Sequence, residues 1–315
     1  MTGPESLPSR GGSRVFCSEL SEANGEPLAA TASRIDHWLL VEYRGVWARD
    51  EIGRSLLAPA VKAHLRAQLD RLERSRLLFV RRPERRGRRD VAVFYGRTSE
   101  RDFWLRSLTL GSHEELLDLD LAAELAGRAA PAGDRVDHPV LVVCTHGKRD
   151  PCCARRGRPL YDGLREAADE GWVWQSTHVG GDRFAGNLVC FPEGVYYGRV
   201  TRVGAFAVLD DHLAGRIDLD HYRGRCCHSF AVQAAEREVR TRSGVREIDG
   251  VTVEGVERAG PEAWSVSVRA GSSTYRVAVE AEQGELTRLT CASPMPKRPR
   301  RFVVRSAETL PEPGA

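Results

Sequence analysis

The segment "HPVLVVCTHGKRDP", residues 138–151, decides the fold of this chain. Its apolar run at 140–143 is typical of a buried strand, and the polar residues after it are typical of the loop before a helix. The segment "HWLLVEYRGVWARD", residues 37–50, repeats this pattern 101 positions earlier. Tyr-Gly-Arg also occurs twice, at 95–97 and 197–199, with an offset of 102. Two matches at nearly the same offset indicate an internal duplication.

Each predicted half has the order strand, helix, strand, strand, which is typical of a small α/β unit with a mixed sheet, such as a thioredoxin-like unit. In the first half the pattern predicts strands at 37–43, 76–82 and 91–98, a helix over 51–76 and another over 112–130. In the second half a helix is predicted from about residue 157. After residue 229 an amphipathic helix precedes four segments of period-2 alternation, the last at 285–293, and a tail or edge strand.

The predicted fold is therefore α/β, with two tandem thioredoxin-like units and a small α+β appendage with antiparallel strands. Its parts are a partly ordered lead-in at 1–30, a degenerate thioredoxin-like half at 31–134, a second thioredoxin-like half at 135–229, and a C-terminal helix with a β appendage and tail at 230–315.

The composition excludes several classes of partner. The chain has 315 residues, 41% of them hydrophobic, and a net charge of +3, which is too close to neutral for a protein that mainly binds nucleic acid or anionic membrane. No stretch approaches the roughly 20 apolar residues of a membrane span, and "MTGPESLPSRGGSRVF" lacks the apolar segment of a secretory signal. We expect a cytoplasmic protein, and the strong excess of Arg over Lys predicts a bacterial source with GC-rich DNA.

The candidate site lies in two segments of the second half. Cys144 ends a predicted buried strand, where α/β proteins usually build their sites. Cys152 and Cys153 precede a predicted helix among basic residues, which favours the thiolate form that serves as nucleophile or metal ligand. The segment "STHVGGDRFAGN" then supplies His178 and Asp182, separated by Val-Gly-Gly, and the two glycines permit a tight turn around a bound group.

These residues leave three chemistries open. Two thiolates with one or two imidazoles can ligate a [2Fe–2S] cluster, and zinc accepts the same ligands together with a carboxylate. A thiol–disulfide redox enzyme could instead use Cys144 with Cys152 or Cys153 as attacking and resolving thiols. The remaining cysteines are scattered along the chain and receive no predicted role; they are Cys17, Cys190, Cys226, Cys227 and Cys291.

The motifs C-x-H-G-x-R-D-x-x-C and H-x-G-G-x-R-F-A-x-N occur here together and in order, and the chain resembles the sucrase/ferredoxin-like family over roughly residues 17–235. The resemblance implies a thioredoxin-like ferredoxin in which two cysteines ligate one iron and two histidines of an H-x-G-G-H motif ligate the other. The cysteines fall on Cys144 and Cys153, with Cys152 as an alternative. The first histidine falls on His178, but the second falls on Asp182.

Asp182 is a departure from the family pattern, because an oxygen ligand is rare on an iron–sulfur cluster. Either Asp182 ligates, or another residue substitutes for it, and His146 is the nearest candidate. The resemblance thus predicts an electron carrier with one [2Fe–2S] cluster in the second half and an unidentified redox protein as partner. No carboxylate pair for glycoside hydrolysis is apparent, so sucrase activity is not expected.

Overall fold

The structure is a computed structural model that describes residues 15–293 and 295–311. It is a mixed α/β protein with a large ten-stranded mixed sheet and a separate four-stranded antiparallel sheet. Among the described residues, no helix combines the length and the apolar character that crossing a bilayer requires.

The first five strands of the large sheet lie between residues 37 and 135. In chain order this part of the protein forms α1 (Cys17–Ala23), β1 (His37–Glu42), α2 (Pro59–Asp70), β2 (Ser75–Arg81), β3 (Val91–Arg97), β4 (Trp104–Leu110), α3 (Leu121–Leu125) and β5 (Asp134–Arg135). Short 3-10 helices occur at Pro83–Arg85 and His113–Asp118.

The other five strands lie between residues 140 and 225. They belong to the series β6 (Val140–Cys144), α4 (Pro151–Ala167), β7 (Val173–Ser176), β8 (Leu188–Phe191), β9 (Val195–Tyr197), α5 (Gly204–Leu213) and β10 (Tyr222–Arg225). A 3-10 helix at Asp182–Phe184 interrupts the loop between β7 and β8.

The two halves repeat one strand order, as the duplicated pattern predicts. The sheet runs β10-β9-β8-β6-β7-β2-β1-β3-β4-β5, so the halves contribute the equivalent series β2-β1-β3-β4 and β7-β6-β8-β9. In each series the first two strands of the chain are parallel and the third is antiparallel to the first. The halves join where β2 and β7 pair antiparallel. The likeness of each half to thioredoxin stays a prediction.

The two Tyr-Gly-Arg segments do not occupy equivalent positions in the two halves, so this part of the predicted duplication is wrong. Tyr95 lies in β3 and pairs with Leu39 of β1, whereas Tyr197 lies in β9 and pairs with Leu188 of β8. The two Tyr-Gly-Arg segments therefore occupy different strands of the repeated unit, and only the match between residues 37–50 and 138–151 corresponds to a repeated element.

The central strands are apolar because the sheet is covered on both faces. Every residue of β6 is buried, and β1 is buried from its second residue onward. One hydrophobic cluster passes through both halves, where the Trp38 ring meets the Phe191 ring edge-on at 4.9 Å. The halves therefore share a core.

Helix starts differ from the predicted ones because proline sets them. α2 begins at Pro59 and ends at Asp70, so it is shorter than the predicted helix. α4 begins at Pro151, six residues before the predicted start. Proline is favoured in the first turn, where its missing N–H is not needed, and Asp150 caps α4 by accepting the Cys152 N–H at 2.9 Å. Cys152 and Cys153 therefore lie inside the first turn and not before it.

The C-terminal part forms the predicted helix and an antiparallel sheet. Its elements are α6 (Phe230–Ser243), β11 (Val251–Gly260), β12 (Ala263–Ala270), β13 (Ser273–Gln283) and β14 (Arg300–Thr309). The strands follow one another in sheet order, with β14 at the edge, and α6 packs its apolar face on them. The strand predicted at 285–293 is wrong, because this segment is a loop with one isolated bridge between Thr287 and Lys297.

Two further segments differ from the sequence expectation. The predicted lead-in contains α1 within its described residues, and residues 1–14 lie outside the described part of the chain. The helix predicted over 112–130 is a 3-10 turn followed by the five-residue α3. β4 was not predicted at all, although it pairs with β3 along its whole length.

Candidate metal centre

The candidate site forms where three elements meet at one edge of the large sheet. β6 and β7 are parallel neighbours, so their last residues, Cys144 and Ser176, are paired side by side. The chain leaves β6, makes a short loop and starts α4 beside the same edge, while the loop after β7 carries His178. In α/β proteins, sites commonly form in this way, where the carboxyl ends of strands meet the starts of helices.

The structure brings together Cys144, Cys153 and His178. One ligand atom from each lies within 4.8 Å of the other two. Both cysteines are only 1% exposed, whereas the His178 side chain is 21% exposed. We refer to these three residues as the Cys144 group. Its sulfur atoms face the interior, and its imidazole forms the edge toward solvent.

Asp182 adjoins this group. Its Oδ1 lies 2.8 Å from His178 Nδ1 and accepts a hydrogen bond of 3.2 Å from the Cys153 thiol. The carboxylate therefore lies where the H-x-G-G-x spacing predicts the next ligand. It contacts both a thiol and an imidazole.

A buried arginine that the sequence analysis did not single out holds the loop between His178 and β8. The Arg223 guanidinium donates to Gly180 O at 3.1 Å and to Asn187 Oδ1 at 2.8 Å, and the Asn187 amide donates to Gly181 O at 2.9 Å. Gly181 has φ of 78°, and a Cβ there would lie 2.4 Å from Arg223 Nη2. The loop therefore requires glycine for its backbone and for the approach of arginine. Arg223 belongs to the segment "YRGR" of β10. Nothing in that segment indicates that the arginine contacts the histidine loop.

The first half of the chain also positions His178. Thr177 N–H donates to Phe79 O at 2.9 Å, and His178 N–H donates to Glu51 Oε1 at 3.3 Å. Arg76 donates to Val179 O at 2.6 Å. The residues before and after His178, and its own backbone N–H, are thus hydrogen-bonded to the first half of the chain.

The ionisable groups of the site perturb one another. The hydrogen bond from the Cys153 thiol, aided by His178, lowers the pKa of Cys144 to about 5 although burial opposes it. The same bond to Cys144, together with burial, raises the pKa of Cys153 well above its ordinary value. Burial opposes the charge on His178, but Asp182 and Cys144 outweigh it and raise the pKa of the imidazole to about 9. Burial also opposes the charge on Asp182, yet His178 lowers the pKa of that carboxyl.

The two alternative ligands lie elsewhere. The Cys152 sulfur points away from Cys153 and contacts Cys17 at 3.6 Å and Cys291 at 3.3 Å. His146 is buried and lies outside the Cys144 group; its Nδ1 is 3.4 Å from Glu51 Oε1. Adjacent cysteines of one helical turn thus face two different sets of residues.

Cys17 and Cys291, which are far apart in the sequence and received no predicted role, lie close together in the structure. With Asp150 and Cys152 they form a second set of possible ligands, whose donor atoms all lie within 4.8 Å of one another. We call these four residues the Cys17 group. Its members are separated by up to 274 residues in the chain, so no local spacing could have revealed it.

The donor atoms of the Cys144 group fit a bound metal. His178 Nδ1 is buried and makes no aligned hydrogen bond despite its 2.8 Å contact with Asp182, and Asp182 Oδ2 is buried without a partner. Buried polar atoms normally have a partner. Two thiols, an imidazole and a carboxylate are ligands that both zinc and iron accept.

The sucrase/ferredoxin-like family matches residues 28–224 of the chain. Two curated relatives are both called altered inheritance of mitochondria protein 32. The one from Meyerozyma guilliermondii is 36% identical over 95 residues, which is 27% of this chain and 34% of the relative. The one from Debaryomyces hansenii is 30% identical over 95 residues, which is 27% of this chain and 35% of the relative.

The chain thus matches about a third of the length of each relative. Both are yeast proteins, so they give no support to a bacterial source. No solved structure matches the chain. The family match covers well over half of the chain and includes the strand end, the helix start and the histidine loop of the site, and the protein belongs to the sucrase/ferredoxin-like family.

Proposed function

We propose that this protein is an electron carrier with one [2Fe–2S] cluster bound by Cys144, Cys153 and His178, with Asp182 as the fourth ligand. The observation that carries the proposal is the convergence of two buried cysteines and a partly exposed histidine at one sheet edge. Membership of a family whose name includes ferredoxin supports it.

The arrangement of the ligands suits electron transfer. A bound [2Fe–2S] cluster accepts and releases one electron, and imidazole ligands raise its reduction potential. The buried cysteines would keep water from the sulfur side, while His178 would bring the cluster edge to the surface where a partner protein can approach. Asp182 would supply an oxygen ligand beside the imidazole, since its Oδ1 lies 2.8 Å from His178 Nδ1.

The two halves have different parts in this proposal. Each contributes one copy of the repeated strand order, with two parallel strands and an antiparallel third. The first has Tyr43 directly after β1, where the second ends β6 with Cys144. We propose that the first half is a cluster-free copy that serves as a scaffold.

Thiol–disulfide exchange is the second candidate, favoured by the lowered pKa of Cys144 beside the Cys153 thiol. Exchange requires a thiolate that a substrate can reach, and both sulfurs are almost fully buried. The burial of both sulfurs therefore favours a bound cluster over thiol–disulfide exchange. A single zinc ion in the Cys144 group is a third candidate, because the three donor atoms lie close together.

Anaerobic purification followed by iron and acid-labile sulfide analysis, absorption and electron paramagnetic resonance separates the three candidates. We expect a coloured protein with two irons and two sulfides per chain, and loss of both in Cys144→Ser and Cys153→Ser. Cys227→Ser is the matched control, because this half-buried cysteine belongs to neither group. Colourless protein with a reversible Cys144–Cys153 disulfide, or with zinc that disappears in Cys153→Ser, contradicts the proposal.

A further inference from the structure

The Cys17 group joins three distant parts of the chain at one point. Cys17 is the first residue of α1, Asp150 and Cys152 form the start of α4, and Cys291 lies in the loop between β13 and β14. Cys17 and Cys152 are fully buried, and Cys291 is half-buried. The group therefore connects the N-terminal helix, the second half of the large sheet and the C-terminal sheet.

The three sulfurs form a nearly equilateral triangle. Cys17 and Cys152 are 3.6 Å apart, Cys152 and Cys291 are 3.3 Å apart, and Cys291 and Cys17 are 3.6 Å apart. A disulfide would bring one pair to about 2.0 Å and leave the third sulfur over. A tetrahedral zinc ion with Zn–S bonds of about 2.3 Å instead holds its sulfurs about 3.8 Å apart. The observed triangle is close to the second arrangement.

Asp150 supplies a fourth donor. Its Oδ2 lies 3.7 Å from the Cys17 sulfur, and zinc with one oxygen and three sulfur ligands requires about 3.6 Å. The backbone fixes this carboxylate, because Oδ1 accepts the Cys152 N–H at 2.9 Å and Oδ2 accepts the Cys291 N–H at 2.6 Å. A carboxylate oxygen has a second lone pair, which remains for a metal.

Three thiols and one carboxylate lie together in this group, and none of its four residues is basic. Two guanidinium groups of the same helix are paired with other carboxylates, Arg155 with Glu19 and Arg156 with Glu22. A divalent ion would allow all three thiols to ionise, since a coordinating thiol loses its proton.

We propose that the Cys17 group binds one structural zinc ion through Cys17, Cys152, Cys291 and Asp150. An iron–sulfur cluster does not suit the same residues, because three sulfurs so close together must share a single metal ion. Four protein ligands leave no open position, which is typical of a structural site and not of a catalytic one. The zinc would fasten α1 and the loop before β14 to the start of α4.

The test measures zinc and iron in the same preparations of the full chain. We expect one zinc per chain in the wild type and at least about 100-fold weaker zinc binding in Cys291→Ser, because a ligand is lost. The cluster absorption should remain in that variant. Cys227→Ser, the matched control, should keep both metals, and Cys153→Ser should lose iron and keep zinc.

Cobalt substitution gives a second readout. Tetrahedral thiolate-bound Co²⁺ has characteristic visible absorption, which should be present in the wild type and absent in Cys17→Ser and Cys291→Ser. Wild-type protein that binds neither zinc nor cobalt at this group would overturn the proposal. So would zinc that is lost with Cys153→Ser and kept in Cys291→Ser, since that ion would belong to the Cys144 group. If the protein binds no iron, the proposed function fails, but the zinc and cobalt measurements still test the Cys17 group.

Discussion

The Cys144 group and the Cys17 group share the start of α4 and use its neighbouring cysteines, Cys153 and Cys152 respectively. The Cys144 group takes its ligands from one half of the large sheet, mixes sulfur with nitrogen and presents an imidazole to solvent. The Cys17 group takes its ligands from three distant segments, is rich in sulfur and is largely buried. The two proposals together assign an electron-transfer site and a structural site to neighbouring cysteines of one helical turn.

Among variants that should affect one group and spare the other, we expect the largest effect from Arg223→Met. Arg223 is fully buried, and its guanidinium holds Gly180 and Asn187 of the histidine loop. Its loss leaves these acceptors unpaired, so the free energy of unfolding should fall by about 3 kcal/mol, and the iron cluster should fail to load while zinc remains. Denaturant unfolding and metal analysis measure both effects.

Arg225→Met is the matched control for that variant. Arg225 is equally buried, but it donates to the carbonyls of Ser99 and Glu100, away from the histidine loop. We expect a similar loss of stability with the cluster retained. Equal loss of the cluster in both variants would contradict a specific role of Arg223 in positioning the loop.

A smaller effect is expected from Gly181→Ala. The residue has φ of 78° and the new Cβ would collide with Arg223, so unfolding should become easier by about 2 kcal/mol and the cluster spectrum should change. Gly244→Ala has a similar φ of 74° but open space around its Cβ. It should show the backbone strain without any change in the spectrum. A changed spectrum in the control would mean that the strain acts globally.

Asp182→Asn should alter the paramagnetic resonance spectrum, because the amide keeps nearly the shape of the carboxylate but is a weaker ligand. The control is Asp218→Asn, which changes another carboxylate in contact with a histidine, at 3.0 Å from His221 Nδ1. An identical spectrum in Asp182→Asn and the wild type would show that the carboxylate does not ligate the cluster.

The smallest effect is expected from Ser18→Ala. The Ser18 hydroxyl donates to the Cys152 sulfur at 3.3 Å, and loss of such a bond costs about 1 kcal/mol, or roughly fivefold in zinc affinity. Competition with a zinc chelator measures it. Ser21→Ala, in the same helix but bonded to Glu26 at 2.8 Å, should leave zinc affinity unchanged. Equal affinities in Ser18→Ala and the wild type would show that the hydroxyl does not support the site.

The sequence was sufficient for features that depend on neighbouring residues. The apolar runs of β1 and β6, the amphipathic α6 and the alternating β11 to β13 follow from local periodicity. Cys144 was singled out at the end of an apolar run, and His178 by its Val-Gly-Gly spacing from Asp182. The start of α4 could also have been read correctly, because Asp150-Pro151 is a good capping pair.

The remainder depends on contacts between residues far apart in the chain. Cys17 and Cys291 lie in a helix and a loop whose own sequences give no sign of a shared partner. Arg223 reaches the histidine loop from β10, a strand at the edge of the large sheet that lies far from the loop in sequence. The Tyr-Gly-Arg match was misleading, because three shared letters carry no information about strand pairing.

The antiparallel junction of β2 and β7 has a consequence for how small a working version of this protein can be. The strand that leads to His178, β7, pairs on one side with β2 of the first half. The backbone N–H groups of Thr177 and His178 donate to Phe79 O and to the Glu51 carboxylate of that half. A shortened protein of residues 135–229 would expose that strand edge and release the histidine. The first copy therefore contributes to the site of the second, because its strand and side chains hold the loop that carries His178.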